Sequence, residues 1–314
     1  MTGTKSPQHP IERVLIVGAG VMGKGVAKSF AEGGFETSIW SRRGAEIPGL
    51  PKGVVASADL PKEVPDLVIE NVPEDVETKL ACYRAIEAAY PPTVIIATNT
   101  SGLPLDELAG SLAHPERFLG AHYFQPADVF PMVEVIGGTA TEPRAVERVA
   151  EAMRRTGKEP ILVRKPVEGY LINRLQHAIL HEAYSLIETG AATAYEVDQV
   201  AKHLLGPRMC VTGLIEQKDI AGVGTHAKAQ AAIVPKLAHT RTPVGFVQEL
   251  PKRGETGLEA GLGFYDWREC DKGAVAMEAS ARLRRLLDFL ARDLGEEAAR
   301  TRPENRDHAR PRRP

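Results

Sequence analysis

This chain of 314 residues has few cysteines, almost no net charge and no long apolar run. Its three cysteines are far apart and form no C-x-x-C pair, which argues against a disulfide framework or a zinc site. The 39 basic and 41 acidic residues nearly cancel, so the composition gives no sign of binding to nucleic acid or to an anionic membrane. No segment approaches the roughly 20 apolar residues of a transmembrane helix. We therefore expect a cytoplasmic protein whose partner is a small-molecule substrate, with no nucleic-acid or membrane partner.

The segment 14–32 has the pattern of a strand, a glycine turn and a helix. Four apolar residues are followed by glycines in the spacing G-x-G-x-x-G, at the point where the strand must reverse into the helix. In dinucleotide-binding folds the first glycine permits a tight turn, the second lets a pyrophosphate approach, and the third lets helix and strand pack closely. The alternative is a glycine turn that only links two core elements. We predict that a dinucleotide binds to Gly18, Gly20, Val21, Met22 and Gly23.

A second strand is predicted over 36–40, and the residues that follow it bear on the choice of cofactor. In dinucleotide folds a carboxylate about 20 residues beyond the glycines binds the ribose 2′-hydroxyl of NAD, whereas an arginine accommodates the 2′-phosphate of NADP. This chain has Ser41, Arg42 and Arg43 at that place. A hydroxyl and two guanidinium groups can bind a phosphate that a carboxylate would repel. The pattern predicts NADP(H) as the preferred cofactor, with NAD(H) as the alternative. The arginines could also be solvated surface charges without a role in binding.

Further apolar runs over 53–56, 66–74 and 93–101 are typical of strands, and 75–89 has apolar residues at helical spacing. Strands that alternate with such helices predict an α/β fold of the Rossmann type, with a doubly wound, mostly parallel sheet. Ligands of these sheets bind at the carboxyl ends of the strands. We therefore expect the cofactor to contact the residues that lie there, namely Asn71, Val72, Pro73, Glu74, Asn99 and Ser101.

Two more strand-like runs, 118–126 and 132–136, flank a turn that contains proline. If these strands pair, His122 and Glu134 can lie side by side, so that the carboxylate holds one imidazole nitrogen while the other faces a substrate. Such a pair would be an acid–base dyad. From the residues alone, a surface histidine and a glutamate on the solvent face of a strand remain the alternative.

Beyond Gly169 the sequence becomes helical. Apolar residues recur mainly at helical spacing over 171–189, 197–205, 212–220 and 274–294. Thr212 is predicted to cap the helix that follows 206–208. His177 and His181 have no third ligand in the sequence pattern, so we predict no metal site. The predicted organisation is a flexible N-terminus (1–11), a dinucleotide-binding domain (12–167), an all-α second domain (168–295) and a charged, disordered tail (296–314).

Four separated motifs resemble those of the L-3-hydroxyacyl-CoA dehydrogenases and their relatives, which include the L-gulonate dehydrogenase/lambda-crystallin and carnitine dehydrogenase branches. The resemblance spans about residues 12–267. Its motifs are G-A-G-V-M-G from Gly18, Asn99-Thr100-Ser101, His122-Tyr123-Phe124-Gln125-Pro126 with Val133-Glu134-Val135, and Gly169-Tyr170-Leu171-Ile172-Asn173-Arg174. The resemblance implies that His122 is the catalytic acid or base, that Glu134 orients it, and that Ser101 and Asn173 contact the substrate. It also implies a homodimer formed through the helical domain.

Two departures from that family bear on the ligands. Members that use NAD have an acidic residue where Ser41 stands, so their cofactor preference is not carried over. The acyl-CoA enzymes insert a helical hairpin that helps to hold CoA after the second strand, whereas the link 44–54 is short and contains Pro48 and Pro51. Gln125 also replaces the asparagine that the acyl-CoA enzymes usually have. These differences favour a substrate without CoA, for which Gln125 and Arg208 are further predicted contacts. A surface arginine without a ligand is the alternative for Arg208.

We predict an NADP(H)-preferring oxidoreductase that interconverts a ketone and a secondary alcohol, with His122 as the proton donor or acceptor. The preferred substrate is a β-keto or 3-hydroxy acid derivative without an obligatory CoA moiety, such as a polyketide-type intermediate. The alternative among enzymes is an NAD-dependent 3-hydroxyacyl-CoA dehydrogenase. From another class, the alternative is a non-catalytic dinucleotide-binding protein, either crystallin-like or a cofactor sensor.

Overall fold

The computed structural model describes residues 10–44 and 46–301, with side chains as far as residue 292. Most of the predicted flexible N-terminus and the last residues of the predicted tail lie outside these described residues. The chain divides after Gln176 into two compact units. This division lies inside a helix, whereas the sequence predicts a boundary between residues 167 and 168.

The first unit is built on an eight-stranded sheet. Its strand order is β3-β2-β1-β4-β5-β6-β7-β8, and all neighbours are parallel except β6 and β7. This topology confirms the predicted doubly wound, mostly parallel sheet. The strands are β1 (Arg13–Val17), β2 (Glu36–Trp40), β3 (Val55–Ser57), β4 (Leu67–Glu70), β5 (Ile95–Thr98), β6 (Phe118–Tyr123), β7 (Met132–Gly137) and β8 (Glu159–Val163).

Helices cover both faces of this sheet because its central strands are apolar on both sides. The helices of the first unit are α1 (Val21–Glu32), α2 (Val76–Ala89), α3 (Leu105–Ala109) and α4 (Pro143–Arg155). In β1, Ile16 packs into the core shared with α1 and α4, whereas Leu15 packs into the core shared with α2 and α3. The alternation of neighbouring side chains between the two faces follows from the two-residue period of a strand.

The sequence analysis did not predict α4 or β8, although α4 has a readable signal. Its buried residues Ala145, Val149 and Met153 recur every four positions, which places them on one face of a helix. Two predicted strands were too long, because β4 ends at Glu70 and β5 ends at Thr98. In both cases the polar residues that follow the apolar run lie in the turns at the sheet edge.

The link between β2 and β3 consists of turns over its described residues 41–44 and 46–54. It packs on the α1 side of the sheet, where Ile47 and Val54 are buried in the same core as α1. Lys24 of α1 donates a hydrogen bond to the carbonyl of Pro48 at 3.0 Å. The described part of this link is therefore a short, anchored loop without a helical hairpin, as the sequence predicts.

The second unit is helical. Helix α5 (Ile172–Glu188) spans the division, and it is followed by α6 (Ala194–Val200), α7 (Gly206–Thr212), α8 (Glu216–Ala221), α9 (Val223–Ile233), α10 (Gly245–Lys252) and α11 (Lys272–Thr301). A π-helical segment, Ala201–Leu205, joins α6 to α7 without a break. None of the described helices combines the length and the apolar composition that a transmembrane span requires.

Two predictions for the second unit are wrong. Thr212 does not cap a helix, because its hydroxyl donates to the carbonyl of Arg208 inside α7 and α8 begins only at Glu216. Helix α11 continues to Thr301, past the predicted start of the tail at residue 296.

Candidate functional site

The glycine turn between β1 and α1 is shaped by two close approaches of the backbone. Gly18 has a φ of +98°, and a Cβ atom there would lie 2.6 Å from the carbonyl oxygen of Asn71. A Cβ atom on Gly23 would lie 1.9 Å from the carbonyl oxygen of Gly18. Both distances are far inside van der Waals contact, so only glycine fits. The first and third glycines therefore have the roles that the motif assigns to them.

Gly20 borders open space instead. A Cβ atom there would meet no described atom within 4 Å. Gly20 is also the N-cap of α1, and no side chain of the described residues caps that helix end. The backbone N–H groups at the start of a helix attract an anion. An uncapped helix start beside an open approach fits the pyrophosphate of a dinucleotide, which Val21, Met22 and Gly23 would bind with their N–H groups.

Ser41, Arg42 and Arg43 lie in a turn directly after β2. The turn is held by hydrogen bonds from the N–H of Ser41 to the carbonyl of Ser57 (3.0 Å) and from the N–H of Gly44 to the carbonyl of Ser41 (2.8 Å). The Ser41 hydroxyl accepts the N–H of Arg43 at 3.3 Å. Both arginines are exposed, and neither guanidinium group has a hydrogen bond or ion pair to a residue that the structure describes. The two guanidinium groups are therefore available to an anion.

Asn71 and Asn99 connect the ends of the central strands. The Asn99 amide donates to the Asn71 side-chain oxygen at 2.8 Å and accepts the N–H of Tyr123 at 2.8 Å. The N–H of Asn71 donates to the carbonyl of Val17 at 2.7 Å. The next two residues along the chain, at positions 72 and 73, are half-buried and exposed, respectively. This edge is the carboxyl end of the parallel strands, where the sequence predicts the cofactor.

His122 and Glu134 are direct partners in the antiparallel pairing of β6 with β7. Nδ1 of His122 lies 2.7 Å from Oε2 of Glu134, and the two side chains are only 6% and 4% exposed. The predicted pairing of the strands and the adjacency of the two side chains are confirmed. Because an ionised carboxylate can only accept, Nδ1 carries a proton in this pair. Nε2 is then the nitrogen left to give or take a proton.

The second oxygen of Glu134 is also hydrogen-bonded. Oε1 accepts the N–H groups of Leu171 (2.8 Å) and Ile172 (3.1 Å) at the start of α5. The turn before them has positive φ angles at Gly169 (+74°) and Tyr170 (+48°). Positive φ is uncommon for a bulky residue. This turn directs the two N–H groups at Glu134 and so fixes the carboxylate that holds His122.

Two aromatic rings enclose the imidazole of His122. The ring of Phe124 lies edge-on to it with centroids 4.8 Å apart, and the ring of Tyr170 is tilted against it at 5.4 Å. Burial raises the pKa of the Tyr170 phenol, and the nearby charges of Glu74 and Glu134 raise it further. Tyr170 is therefore neutral at physiological pH. The imidazole is held by one carboxylate and two rings, which limits its rotation.

Ser101 and Asn173 are close neighbours. The side-chain amide of Asn173 donates to the carbonyl of Ser101 at 3.0 Å. Ser101 in turn donates to Glu74 with its N–H (2.8 Å) and its hydroxyl (3.2 Å). The sequence predicts that Glu74 contacts the cofactor, whereas one of its oxygens is already occupied by the turn that carries Ser101.

The first unit thus links four of the predicted site residues into one chain of contacts. His122 contacts Glu134, Glu134 accepts the N–H of Ile172, and the next residue, Asn173, donates to Ser101.

The other two predicted substrate contacts have no such link in the described structure. Gln125 is exposed and directly follows Phe124, the residue whose ring lies beside His122. Arg208 is an exposed residue of α7 in the second unit, and it is not among the side chains that the first unit brings together.

Sequence reasoning missed a buried polar cluster at the end of β4. Glu70 is fully buried and accepts hydrogen bonds from Lys79 (2.8 and 3.0 Å), the Tyr83 hydroxyl (2.9 Å) and the Thr98 hydroxyl (2.8 Å). A signal for it existed, because Lys79 shares the buried face of α2 with Tyr83 and Ile86. A lysine on the apolar face of a helix needs a buried partner.

Two family models match most of the chain. The model "3-hydroxyacyl-CoA dehydrogenase, NAD binding domain" matches residues 52–166, and "3-hydroxyacyl-CoA dehydrogenase, C-terminal domain" matches residues 169–267. The L-carnitine dehydrogenase of Pseudomonas putida is 33% identical over 259 residues, which cover 74% of this chain and 81% of that protein. The 5-formyl-3-hydroxy-2-methylpyridine 4-carboxylate 5-dehydrogenase of Mesorhizobium japonicum is 28% identical over 305 residues, covering 88% of this chain and 99% of that protein.

A solved structure agrees with these matches. The crystal structure of a 5-formyl-3-hydroxy-2-methylpyridine 4-carboxylic acid 5-dehydrogenase, described as an NAD⁺-dependent dismutase, has a TM-score of 0.82 and 28% identity. The similarity covers 89% of this chain and 98% of that one. The chain therefore belongs to the 3-hydroxyacyl-CoA dehydrogenase family and is an NAD(P)-dependent dehydrogenase that acts on CH–OH groups.

Proposed function

We propose that this dehydrogenase prefers NADP(H) and interconverts a ketone and a secondary alcohol on a β-keto or 3-hydroxy acid derivative that needs no CoA moiety. The observation that carries the proposal is the buried pair of His122 and Glu134, with Nδ1 and Oε2 2.7 Å apart. This pair leaves Nε2 of His122 as a proton donor or acceptor for a substrate. The resemblance implies that Ser101 and Asn173 contact the same substrate. An acid–base group of this kind is what a CH–OH dehydrogenase requires.

In the proposed reaction the protein itself transfers the proton. A bound nicotinamide dinucleotide, held by the glycine turn, would supply or accept the hydride. During reduction, protonated His122 gives its Nε2 proton to the oxygen that becomes the alcohol. During oxidation, neutral Nε2 takes that proton back. Glu134 accepts the Nδ1 proton and so fixes the tautomer and the orientation of the imidazole in both directions.

The preference for NADP(H) is supported by Arg42 and Arg43, which are exposed directly after β2. Replacing either arginine by alanine is expected to weaken NADPH binding about tenfold or more, because a charge-assisted hydrogen bond to the 2′-phosphate is lost, and to leave NADH binding unchanged. Lys52→Ala removes an exposed charge from the same link and serves as the control. Fluorescence titration with both reduced cofactors measures the affinities. Equal affinities of the parent enzyme for NADPH and NADH would contradict the proposal.

Two observations support a substrate without CoA. The link between β2 and β3 forms turns over its described residues, so the first unit has a short loop where the resemblance places a CoA-binding hairpin. Two of the relatives act, by their names, on carnitine and on a pyridine carboxylate, and neither name contains CoA. The competing proposal is NAD-dependent oxidation of a 3-hydroxyacyl-CoA, which the description of the family model favours.

A substrate panel separates these candidates. The panel contains free β-keto esters and acetoacetyl-CoA, each assayed with NADPH and with NADH. We expect stereospecific reduction of at least one free ester with NADPH. Activity only with the CoA thioester would replace the proposal by the acyl-CoA reaction. A complete lack of turnover across the panel would contradict both substrate classes.

We further infer that the second unit forms a homodimer. Among residues 177–292, only Ala183 and Val244 are buried hydrophobic residues. Large apolar side chains are instead exposed, and the most exposed of them are Ile215 (78%), Ile220 (70%), Met277 (70%) and Val211 (68%). Exposed apolar surface of this extent marks an interface. A second copy of the chain is the partner that the family resemblance implies.

If the protein is a dimer, its melting temperature depends on the protein concentration. Dilution of the protein by a hundredfold is expected to lower the melting temperature by roughly 2 °C, because association stabilises only the folded state. Ile220→Lys should give a monomer with a lower melting temperature. Val55→Lys changes a similarly exposed valine of the first unit and serves as the control. Sedimentation of the parent protein as a monomer at micromolar concentration would overturn the inference.

A further inference from the structure

Helix α1 contains one glycine that does not belong to the dinucleotide motif. This residue, Gly25, follows the last motif glycine by two positions and lies against the β6–β7 loop (residues 124–131). A Cβ atom on Gly25 would lie 3.1 Å from Cβ of Ala127 and 3.3 Å from the backbone nitrogen of Asp128. Both distances are shorter than the separation of about 3.5–4.0 Å at which nonbonded atoms pack best. Helix and loop therefore meet backbone to backbone, and an ion pair of Lys28 with Asp128 at 3.2 Å adds to this contact.

The helix is the rigid side of this contact. Val26 and Ala27, next to Gly25, are fully buried, and so is Phe30 one turn beyond them. The β6–β7 loop is the softer side, because Ala127 alone is buried among its described residues. Close-packed cores resist displacement more than partly exposed loops do. A side chain at position 25 would therefore push the loop away and leave the helix in place.

The far end of the loop is anchored. Nζ of Lys158, a residue that is only 6% exposed, donates to the carbonyl of Phe130 at 2.7 Å. The N–H of Glu159 donates to the carbonyl of Pro131, also at 2.7 Å. A displacement in the middle of the loop is therefore taken up at its near end, residues 124–126, which directly follows β6.

The near end of the loop borders the imidazole of His122. The ring of Phe124 stands edge-on to that imidazole, with centroids 4.8 Å apart and an angle of 72° between the planes. Phe130 contacts Phe124 from the anchored end, with ring centroids 6.4 Å apart. Gln125, a predicted substrate contact, is the next residue and is exposed. A shift of the near end thus moves a ring that limits the position of the imidazole.

We propose that Gly25 is a positioning residue for proton transfer. Because Gly25 has no side chain, the β6–β7 loop can lie directly on α1, and the loop in this position places Phe124 against the imidazole of His122. The proposal rests on the proposed role of His122 as proton donor or acceptor. It gives the glycines of this region two different tasks, since the motif glycines shape the dinucleotide site and Gly25 shapes the acid–base site.

Gly25→Ala tests the proposal, because alanine adds only the methyl group for which the loop leaves no room. We expect kcat with NADPH and a β-keto ester to fall about tenfold, since misplacement of a reacting group by a fraction of an ångström is costly. The affinity for NADPH should stay at the parental value, because the glycine turn is untouched. Gly224→Ala adds a methyl group at an open position of another helix and should change neither quantity.

A spectroscopic measurement follows the imidazole without any substrate. The ring nitrogen signals of His122 are recorded by NMR in protein labelled with ¹⁵N-histidine, and they are identified by their absence from His122→Ala. Gly25→Ala should shift these signals, whereas Gly224→Ala should not. A parent enzyme without turnover on the substrate panel would refute the proposed function alone, and the ring signals would still decide the role of Gly25.

Ala127→Gly supplies a rescue. It removes the atom that lies 3.1 Å from the added methyl group and leaves contacts of 3.3 Å and more. The double variant Gly25→Ala/Ala127→Gly should recover most of the lost kcat and the parental ring signals, with Ala127→Gly alone as its reference. Losses that simply add in the double variant would overturn the proposal.

Two further results would also contradict the proposed role of Gly25. Parental kcat together with unshifted ring signals in Gly25→Ala would show that the contact does not position the imidazole. A joint fall of the NADPH affinity and the melting temperature in Gly25→Ala would show that the helix has moved instead of the loop.

Discussion

Replacing His122 by alanine is expected to lower turnover by about 10²–10⁴-fold and to leave dinucleotide binding nearly unchanged. Nε2 of His122 is the proton donor or acceptor of the proposed reaction, and Glu134 fixes the opposite nitrogen at 2.7 Å. The variant loses both the proton transfer and the charge that develops on the imidazole. The measurements are kcat with NADPH and a β-keto ester, and the affinity for NADPH by fluorescence titration.

His114 provides a matched control. Its Nδ1 lies 3.0 Å from Oε1 of Glu116, so it is a second histidine–glutamate pair of the first unit, but both side chains are about two-fifths exposed. His114→Ala should retain the activity of the parent enzyme. Full activity of His122→Ala on a genuine substrate would show that the dyad has no catalytic role, whatever the behaviour of the control.

Gly23→Ala has the second large expected effect, the loss of dinucleotide binding. A Cβ atom at this position would lie 1.9 Å from the carbonyl oxygen of Gly18, and neither backbone can move without opening the contact of α1 with β1. Overpacking of this kind typically costs about 1–3 kcal/mol of stability, and it also displaces the N–H groups at the start of α1. We expect a lower melting temperature and no measurable NADPH binding.

Gly224→Ala is the control for this prediction. Gly224 lies in α9, and a Cβ atom there would meet no described atom within 4 Å. Gly224 is the second residue of α9 and has no positive φ, so alanine fits there without strain and the control should be about as stable as the parent. A Gly23→Ala protein with parental affinity for NADPH would mean that the glycine turn does not form the cofactor site.

The parts of the site that depend on local patterns could be predicted from the sequence. A strand, a glycine turn and a helix can be read from residues 14–32 because each has a characteristic spacing, and the structure has β1 and α1 there. The pairing of His122 with Glu134 required one assumption, that the two flanking strands are neighbours, and their register confirms it.

Contacts between distant residues could not be read in the same way. Thr98 is 28 residues from Glu70, and their hydrogen bond depends on the adjacency of β4 and β5 and on the choice of side-chain rotamers. The same is true of Glu74, whose position just beyond β4 follows from the sequence but whose Oε1 points to the Ser101 turn. Periodicity identifies a face or an end of an element, whereas the partner of a polar atom depends on the folded arrangement.

The most direct test of the proposed function follows the hydride itself. NADPH labelled with deuterium at the transferred position of C4 is incubated with the enzyme and a β-keto ester, and the product is examined by mass spectrometry and chiral chromatography. The account predicts one deuterium on the new carbinol carbon of a single enantiomer, and a strongly reduced yield with His122→Ala. Absence of the label from the product of the parent enzyme, with every ester and with acetoacetyl-CoA, would contradict it.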